Sequence, residues 1–245
     1  MKIIAGNWKM NPQTLEEVRK LFFKIKKGIK KYSNILQNVR IIICPPFVYL
    51  PLLLNWSRKL KISFGAQNVF WEEKGAFTGE ISPKMLKDLK VEYVILGHSE
   101  RRRYFGETNE NVNKKLKSVF KFKLKPILCI GETKRERKEG KTFRVLKREI
   151  SLAVRGIKIS ERSRIIVAYE PIWAIGTGNP CDPETAKKVL IFLRKILKKN
   201  KILYGGSVNS ENARDYINVG FDGLLIGGAS LRPKEFIQII RDCSV

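Results

Sequence analysis

The sequence predicts an α/β protein built as one (β/α)₈ barrel domain over residues 1–245. Three observations point there. Short apolar, β-branched runs alternate with longer amphipathic stretches along the whole chain. About eight such β-then-α units fit, at roughly 30 residues each, the repeat size of a closed parallel barrel. The turn after the first run, Gly6-Asn7-Trp8-Lys9, carries side-chain chemistry. A doubly wound open sheet would place a glycine-rich phosphate fingerprint there.

The elements follow in order. Ile3 to Gly6 reads as the first strand, and Leu15, Val18, Leu21, Phe22 and Ile25 then recur at helical spacing. Val39 to Cys44 is the second strand, stopped by Pro45-Pro46. Further strands are expected at Lys61–Ala66, Val91–Gly97, Leu124–Ile130, Ile165–Tyr169, Lys201–Tyr204 and Gly223–Ile226. Helices are expected at Asn109–Phe122, Pro183–Leu197 and Ser210–Val219. The strands are unbroken apolar runs, as a parallel sheet covered by helices requires. No linker or composition break sets off a second domain.

Composition narrows the function classes. A 43% hydrophobic and 29% charged chain is globular, not disordered. Its net charge of +26 raises a nucleic-acid-binding protein as one alternative. The basic runs Lys24–Lys31, Lys114–Lys125, Lys134–Lys147 and Lys187–Lys201 read as solvated helix faces, without interleaved aromatic platforms, so no dedicated nucleic-acid partner is expected. The four cysteines form no CxxC pair and suit free thiols in a reducing, cytoplasmic setting. A single histidine excludes a multi-histidine metal centre, so no metal is expected. No targeting or membrane segment is visible; the apolar stretch from Phe47 to Trp56 is short and broken by Pro51.

In a parallel barrel, catalytic groups sit at the C-terminal ends of the strands. Those ends carry Asn7 and Lys9, then His98, then Glu170, then Gly205-Gly206-Ser207 and Gly227-Gly228. Each has an ordinary structural alternative: a satisfied histidine, a carboxylate that caps the next helix, glycines that only turn the chain. Their convergence on one end favours chemistry. Glycine turns after the last two strands let backbone N–H groups approach a phosphate, and a short helix near Ala229 would add its dipole. Glu170 could take a carbon-bound proton, His98 could donate as a neutral imidazole at a helix start, and Lys9 with Asn7 could stabilise an oxyanion.

The segments Gly6-Asn7-Trp8-Lys9-Met10-Asn11, Gly97-His98-Ser99-Glu100-Arg101-Arg102, Tyr169 to Gly178, Tyr204 to Val208 and Gly223 to Leu231 together resemble the triosephosphate isomerases, in that family's order and over essentially the whole chain. The resemblance implies a TIM barrel that interconverts dihydroxyacetone phosphate and D-glyceraldehyde 3-phosphate through an enediolate, without a cofactor. It implies Glu170 as the base, His98 as the electrophile, Lys9 as the fixed cation and Asn7 as an oxyanion donor. Gly176, Ser207, Gly227 and Gly228 become phosphate ligands. Ala174-Ile175-Gly176 becomes the tip of a lid, with Pro171-Ile172-Trp173 as its first hinge. Glu100 becomes a second carboxylate near Lys9, either positioning it or moving a proton. Cys129 is a small buried hydrophobe behind Glu170. The long segment from Gln67 to Ser82, with Phe70, Trp71 and Phe77 expected to leave apolar surface exposed, implies a homodimer in which Thr78 enters the partner's site. Two features depart from the family pattern: Asn179-Pro180-Cys181 at the second lid hinge, and the excess of lysine on the outer helices. Another phosphorylated-sugar barrel enzyme would share the glycine turns but not the other motifs together.

Overall fold

The computed structural model describes residues 1–58, 60–176 and 180–244. Eight parallel strands close into a barrel in chain order: β1 (Lys2–Asn7), β2 (Val39–Cys44), β3 (Ile62–Ala66), β4 (Tyr93–Leu96), β5 (Lys125–Ile130), β6 (Ile166–Tyr169), β7 (Ile202–Tyr204) and β8 (Gly223–Ile226). Strand β1 pairs with β2 on one side and β8 on the other, which closes the sheet. At that seam a Cβ on Gly223 would lie 1.8 Å from Ile3 O, so only glycine permits the register Ile3↔Gly223.

Around the barrel lie α1 (Leu15–Lys31), α2 (Leu50–Trp56), α3 (Pro83–Asp88), α4 (Ser99–Phe105), α5 (Asn109–Lys121), α6 (Lys134–Lys138), α7 (Thr142–Ala153), α8 (Ile159–Arg162), α9 (Pro183–Ile196), α10 (Ala213–Asn218) and α11 (Pro233–Asp242). Among the described residues, none is long and apolar enough to cross a membrane.

Strand alternation makes two cores. Ile3, Ala5, Ile42, Cys44, Ile95 and Ile127 belong to the cluster that fills the barrel. Their neighbours Ile4, Ile41, Ile43 and Leu128 belong to the shell between strands and helices. Helix α1 shows how the shell is built. Thr14 caps it in a reciprocal box with Glu17, and Val18, Leu21, Phe22, Ile25 and Ile29 form its buried stripe. It packs on α11 so closely that a Cβ on Gly28 would come within 2.6 Å of Ile237 Cγ1.

The expected barrel is therefore present, with local differences. Val91 belongs to the turn leaving α3, where its N–H bonds to Leu86 O at 3.0 Å, so β4 starts at Tyr93. Helix α10 starts three residues later than expected because Asn209 Oδ1 accepts from both Glu211 N and Asn212 N at 3.0 Å, holding a turn in place of the first helical coil. Lys115, in a run expected to be solvated, is buried: it lies beside Val112, Leu116 and Val119 on the inner face of α5, bonded to Asn68 Oδ1 at 2.7 Å and to Glu107. Burial lowers its pKa against the opposing pull of Glu107.

The N-terminal end of the barrel is tied by Asp222. Its carboxylate accepts from Ile202 N at 2.9 Å, from Lys201 Nζ at 2.9 Å and from Arg194, while its backbone bonds to Ile202 O and Ile3 N.

Candidate active site

A cavity of about 300 Å³ opens at the other end, where the strands finish, and is lined by Asn7, Lys9, His98 and Glu170 together with the glycine turns after β7 and β8. Three strands deliver the four polar side chains to one mouth: β1 brings Asn7 and Lys9, β4 His98 and β6 Glu170. The expected phosphate ligands Gly176, Ser207, Gly227 and Gly228 line the same cavity, and Gly228 opens the short 3₁₀ turn Gly228–Leu231.

Lys9 holds an unusual backbone, with φ 53° in the left-handed region. Such a conformation costs about 1–3 kcal/mol for a non-glycine residue and must be held by its surroundings. Two contacts hold it. Lys9 N donates to Asn7 Oδ1 at 3.0 Å, and Lys9 O accepts from Gln67 Nε2 at 2.8 Å. Gln67, the first residue past β3, also bonds Cys44 O at 2.9 Å. The ammonium then sits 2.6 Å from Glu100 Oε1.

His98 is the N-cap of α4, and its Nδ1 accepts from Glu100 N at 3.2 Å. An accepting Nδ1 carries no proton, so the proton lies on Nε2 and the ring is neutral. Nε2 faces Glu170 Oε1 at 3.1 Å.

Glu170 is 2% exposed, and its second oxygen accepts from Ser99 N at 3.0 Å. It follows β6 directly, with its own N–H bonded to Ile130 O at 2.7 Å. A Cβ on Gly131 would lie 1.7 Å from Glu170 O, so this approach of the β5 turn requires glycine. Cys129 lies behind the carboxylate, fully buried; burial first, and then the adjacent Glu170, push its thiol well above the usual range. Held protonated in this way, the thiol is no nucleophile and serves as a packing residue.

The matched sequence extends well beyond this site. The family described as "Triosephosphate isomerase" matches residues 2–243. The chain belongs to the triosephosphate isomerase family. Curated triosephosphate isomerases resemble it over almost their full length: that of Dictyoglomus turgidum is 45% identical over 98% of both chains. That of Alkaliphilus oremlandii is 45% identical over 97% of this chain and 98% of its own. That of Clostridium tetani is 42% identical over 97% and 95%. The reaction is the interconversion of dihydroxyacetone phosphate and D-glyceraldehyde 3-phosphate, a step of glycolysis, and the substrate is a triose phosphate.

The triosephosphate isomerase motifs thus meet in one place, with two exceptions. Thr78 is exposed on this chain and does not line the cavity. The second lid hinge falls partly on residues 177–179, outside the described residues; Pro180 lines the cavity. At the first hinge, Trp173 Nε1 donates to the buried Glu132 Oε1 at 2.8 Å. Sequence reasoning missed Gln67, Asn212 and Arg232. The strand-end rule would have found Gln67. Asn212 and Arg232 line the cavity from the turns before α10 and α11 and carry no strand-end signal.

Proposed function

We propose that Glu170 is the base of this isomerisation. Its carboxylate takes a proton from C1 of dihydroxyacetone phosphate, and the C–H electron pair forms the C1–C2 double bond as the carbonyl π pair moves to oxygen. His98 Nε2–H donates to that oxygen, and the Lys9 ammonium and Asn7 amide stabilise its charge. Glu170 then returns a proton to C2 while the C1 hydroxyl gives up its proton and the C2 oxygen gains one, with His98 relaying between the two oxygens, giving the aldose. The balance is two protons moved within one substrate, one from C1 to C2 and one from O1 to O2, with no net oxidation. Support comes from one observation above all: a buried carboxylate and a neutral Nε2–H imidazole 3.1 Å apart share one cavity with Lys9 and the glycine turns. Substrate entering the cavity takes over the contacts that His98 and Ser99 now make to Glu170. Backbone N–H groups of Gly176, Ser207, Gly227 and Gly228 hold the phosphate. Glu100 positions Lys9, given their 2.6 Å ion pair.

The active form is a homodimer in the cytoplasm. Met10, Val48, Phe77, Tyr104 and Phe105 are all exposed apolar side chains, from 44% to 81%. Phe70 and Trp71 are half-buried against each other, with ring centroids 4.1 Å apart, so Phe77 rather than either of them is the loop's outward aromatic. A second copy covering these side chains would bring Thr78 to its partner's site. Four free, buried thiols suit a reducing compartment.

A coupled assay that oxidises or reduces the product of each direction tests the activity. The assignment predicts turnover in both directions, lost in Glu170→Gln with the fold intact. Sedimentation tests the assembly: Phe77→Glu is expected to give monomers.

A further inference from the structure

The outer faces of α1 and α11 enclose a groove of about 940 Å³, separate from the active-site cavity apart from Arg232, which lines both. Its walls are cationic. Lys24, Lys27 and Lys31 stand at i, i+3 and i+7 on α1 and so share one face of the helix. Lys234 and Arg241 stand seven residues apart on α11 and line the opposite wall. At the helical rise, seven residues span about 10 Å, so the two walls carry matched rows of positive charge.

No carboxylate among the described residues neutralises these charges, although Arg241 donates to Gln238 Oε1 at 3.2 Å. Among the same residues, the only carboxylate lining the groove, Glu235, is held by Arg232 and accepts from Ser210 N at 3.4 Å. Arg241 lies 4.3 Å over the Tyr32 ring, and its buried Nε has no hydrogen-bond partner among the described residues. The floor is apolar, formed by Leu231, Pro233 and Ile237.

We infer that this groove binds single-stranded nucleic acid through its phosphate backbone. The argument is charge complementarity in a particular shape. A stacked strand spaces its phosphates about 3.4 Å apart, so a groove with charged walls about 10 Å long faces about three or four of them in all. The apolar floor accepts the flat faces of bases or riboses between the phosphates. The walls are helices packed against each other at Gly28 and Ile237, so their side chains alone form the groove, which suits one strand rather than a duplex. Arg241 and Lys31 both lie against Tyr32, which leaves the walls contacting phosphates and gives little means to read sequence. The chain's charge of +26 adds long-range attraction for such a polymer. The groove shares no residue with the apolar surface assigned to the dimer.

Fluorescence anisotropy with a labelled oligouridylate of about 12 nucleotides, titrated between about 50 and 200 mM salt, tests the inference. Wild type is expected to bind with a log–log salt slope of about −2 to −3, the value for three or four phosphate contacts on a single strand. A variant with Lys24, Lys27, Lys31 and Lys234 all changed to Gln is expected to bind about ten-fold or more weakly and to lose most of that slope. A control with Lys188, Lys195, Lys198 and Lys199 changed to Gln removes the same charge from exposed positions elsewhere and is expected to bind within about two-fold of wild type. Isomerase turnover in both variants monitors the fold. Equal losses in the two variants would overturn the inference in favour of diffuse attraction. Tighter binding of polyglutamate than of the oligonucleotide would overturn it in favour of an acidic protein partner. No binding by wild type at the lower salt would overturn it outright.

Discussion

The two ends of the barrel use charge in opposite ways. At the N-terminal end, Asp222 is surrounded by permanent partners: Ile202 N–H, Lys201 and Arg194 all donate to it, and it sits in the bend just before β8, beside the start of β7. At the C-terminal end, Glu170 contacts one backbone N–H and one neutral imidazole, and the nearby lysine is held in a left-handed conformation. The first arrangement ties strands together and needs nothing else. The second holds its groups ready, with contacts a substrate can replace. A carboxylate stabilises where its partners are fixed, and is free for the chemistry proposed for Glu170 where they can be exchanged.

The largest effect that could break this contrast is at Glu170. Replacing it with Gln keeps the volume and removes the basicity, so kcat should fall about 10²- to 10⁴-fold while the melting temperature stays near wild type. A variant that loses stability and keeps activity would place Glu170 with Asp222 as a structural carboxylate.

The complementary substitution is Asp222→Asn, expected to cost about 1–3 kcal/mol of stability and to leave kcat unchanged. Its pH dependence sharpens the comparison. Burial opposes ionisation of Asp222, but the Ile202 N–H, Arg194 and Lys201 outweigh it and hold the carboxyl below its ordinary value. A carboxyl depressed in the folded state contributes fully above its unfolded value of about 3.9, and that contribution is lost as pH falls through the lower folded value. Denaturant titrations should therefore show a steady deficit for Asp222→Asn at neutral pH that closes below about pH 4. A deficit independent of pH would mean that the charge itself contributes nothing.

A smaller and more local effect concerns His98. Nitrogen chemical shifts of the lone imidazole at neutral pH should show an unprotonated Nδ1 and a protonated Nε2. The reverse tautomer would break the bond from Glu100 N and remove the donor facing Glu170.

The asymmetry was largely legible in the sequence, because strand ends can be located from apolar runs and the rule for parallel barrels then selects Asn7, Lys9, His98 and Glu170. What was not legible depends on contacts distant in the chain. Gln67 acquires its role by reaching Lys9 O, 58 residues away in sequence. The tautomer of His98 follows from a cap geometry that the order of residues does not specify. Lys115 sits in a lysine-rich run where each member reads as solvated, yet its place on the inner stripe of α5 buries it against Glu107 and Asn68. The groove between α1 and α11 was hidden for the same reason, since lysines on separate helices form two walls only once the helices pack.

The central claim is that Glu170 moves a proton between two adjacent carbons of a triose phosphate through an enediolate. Isomerisation in D₂O, followed by NMR of both products, tests it most directly. The claim predicts deuterium at the carbon that receives the proton, because a carboxyl proton exchanges with solvent while the intermediate is bound, and loss of that incorporation together with turnover in Glu170→Gln. Products that form at full rate with no deuterium would mean a direct hydrogen shift between the carbons and would contradict the claim.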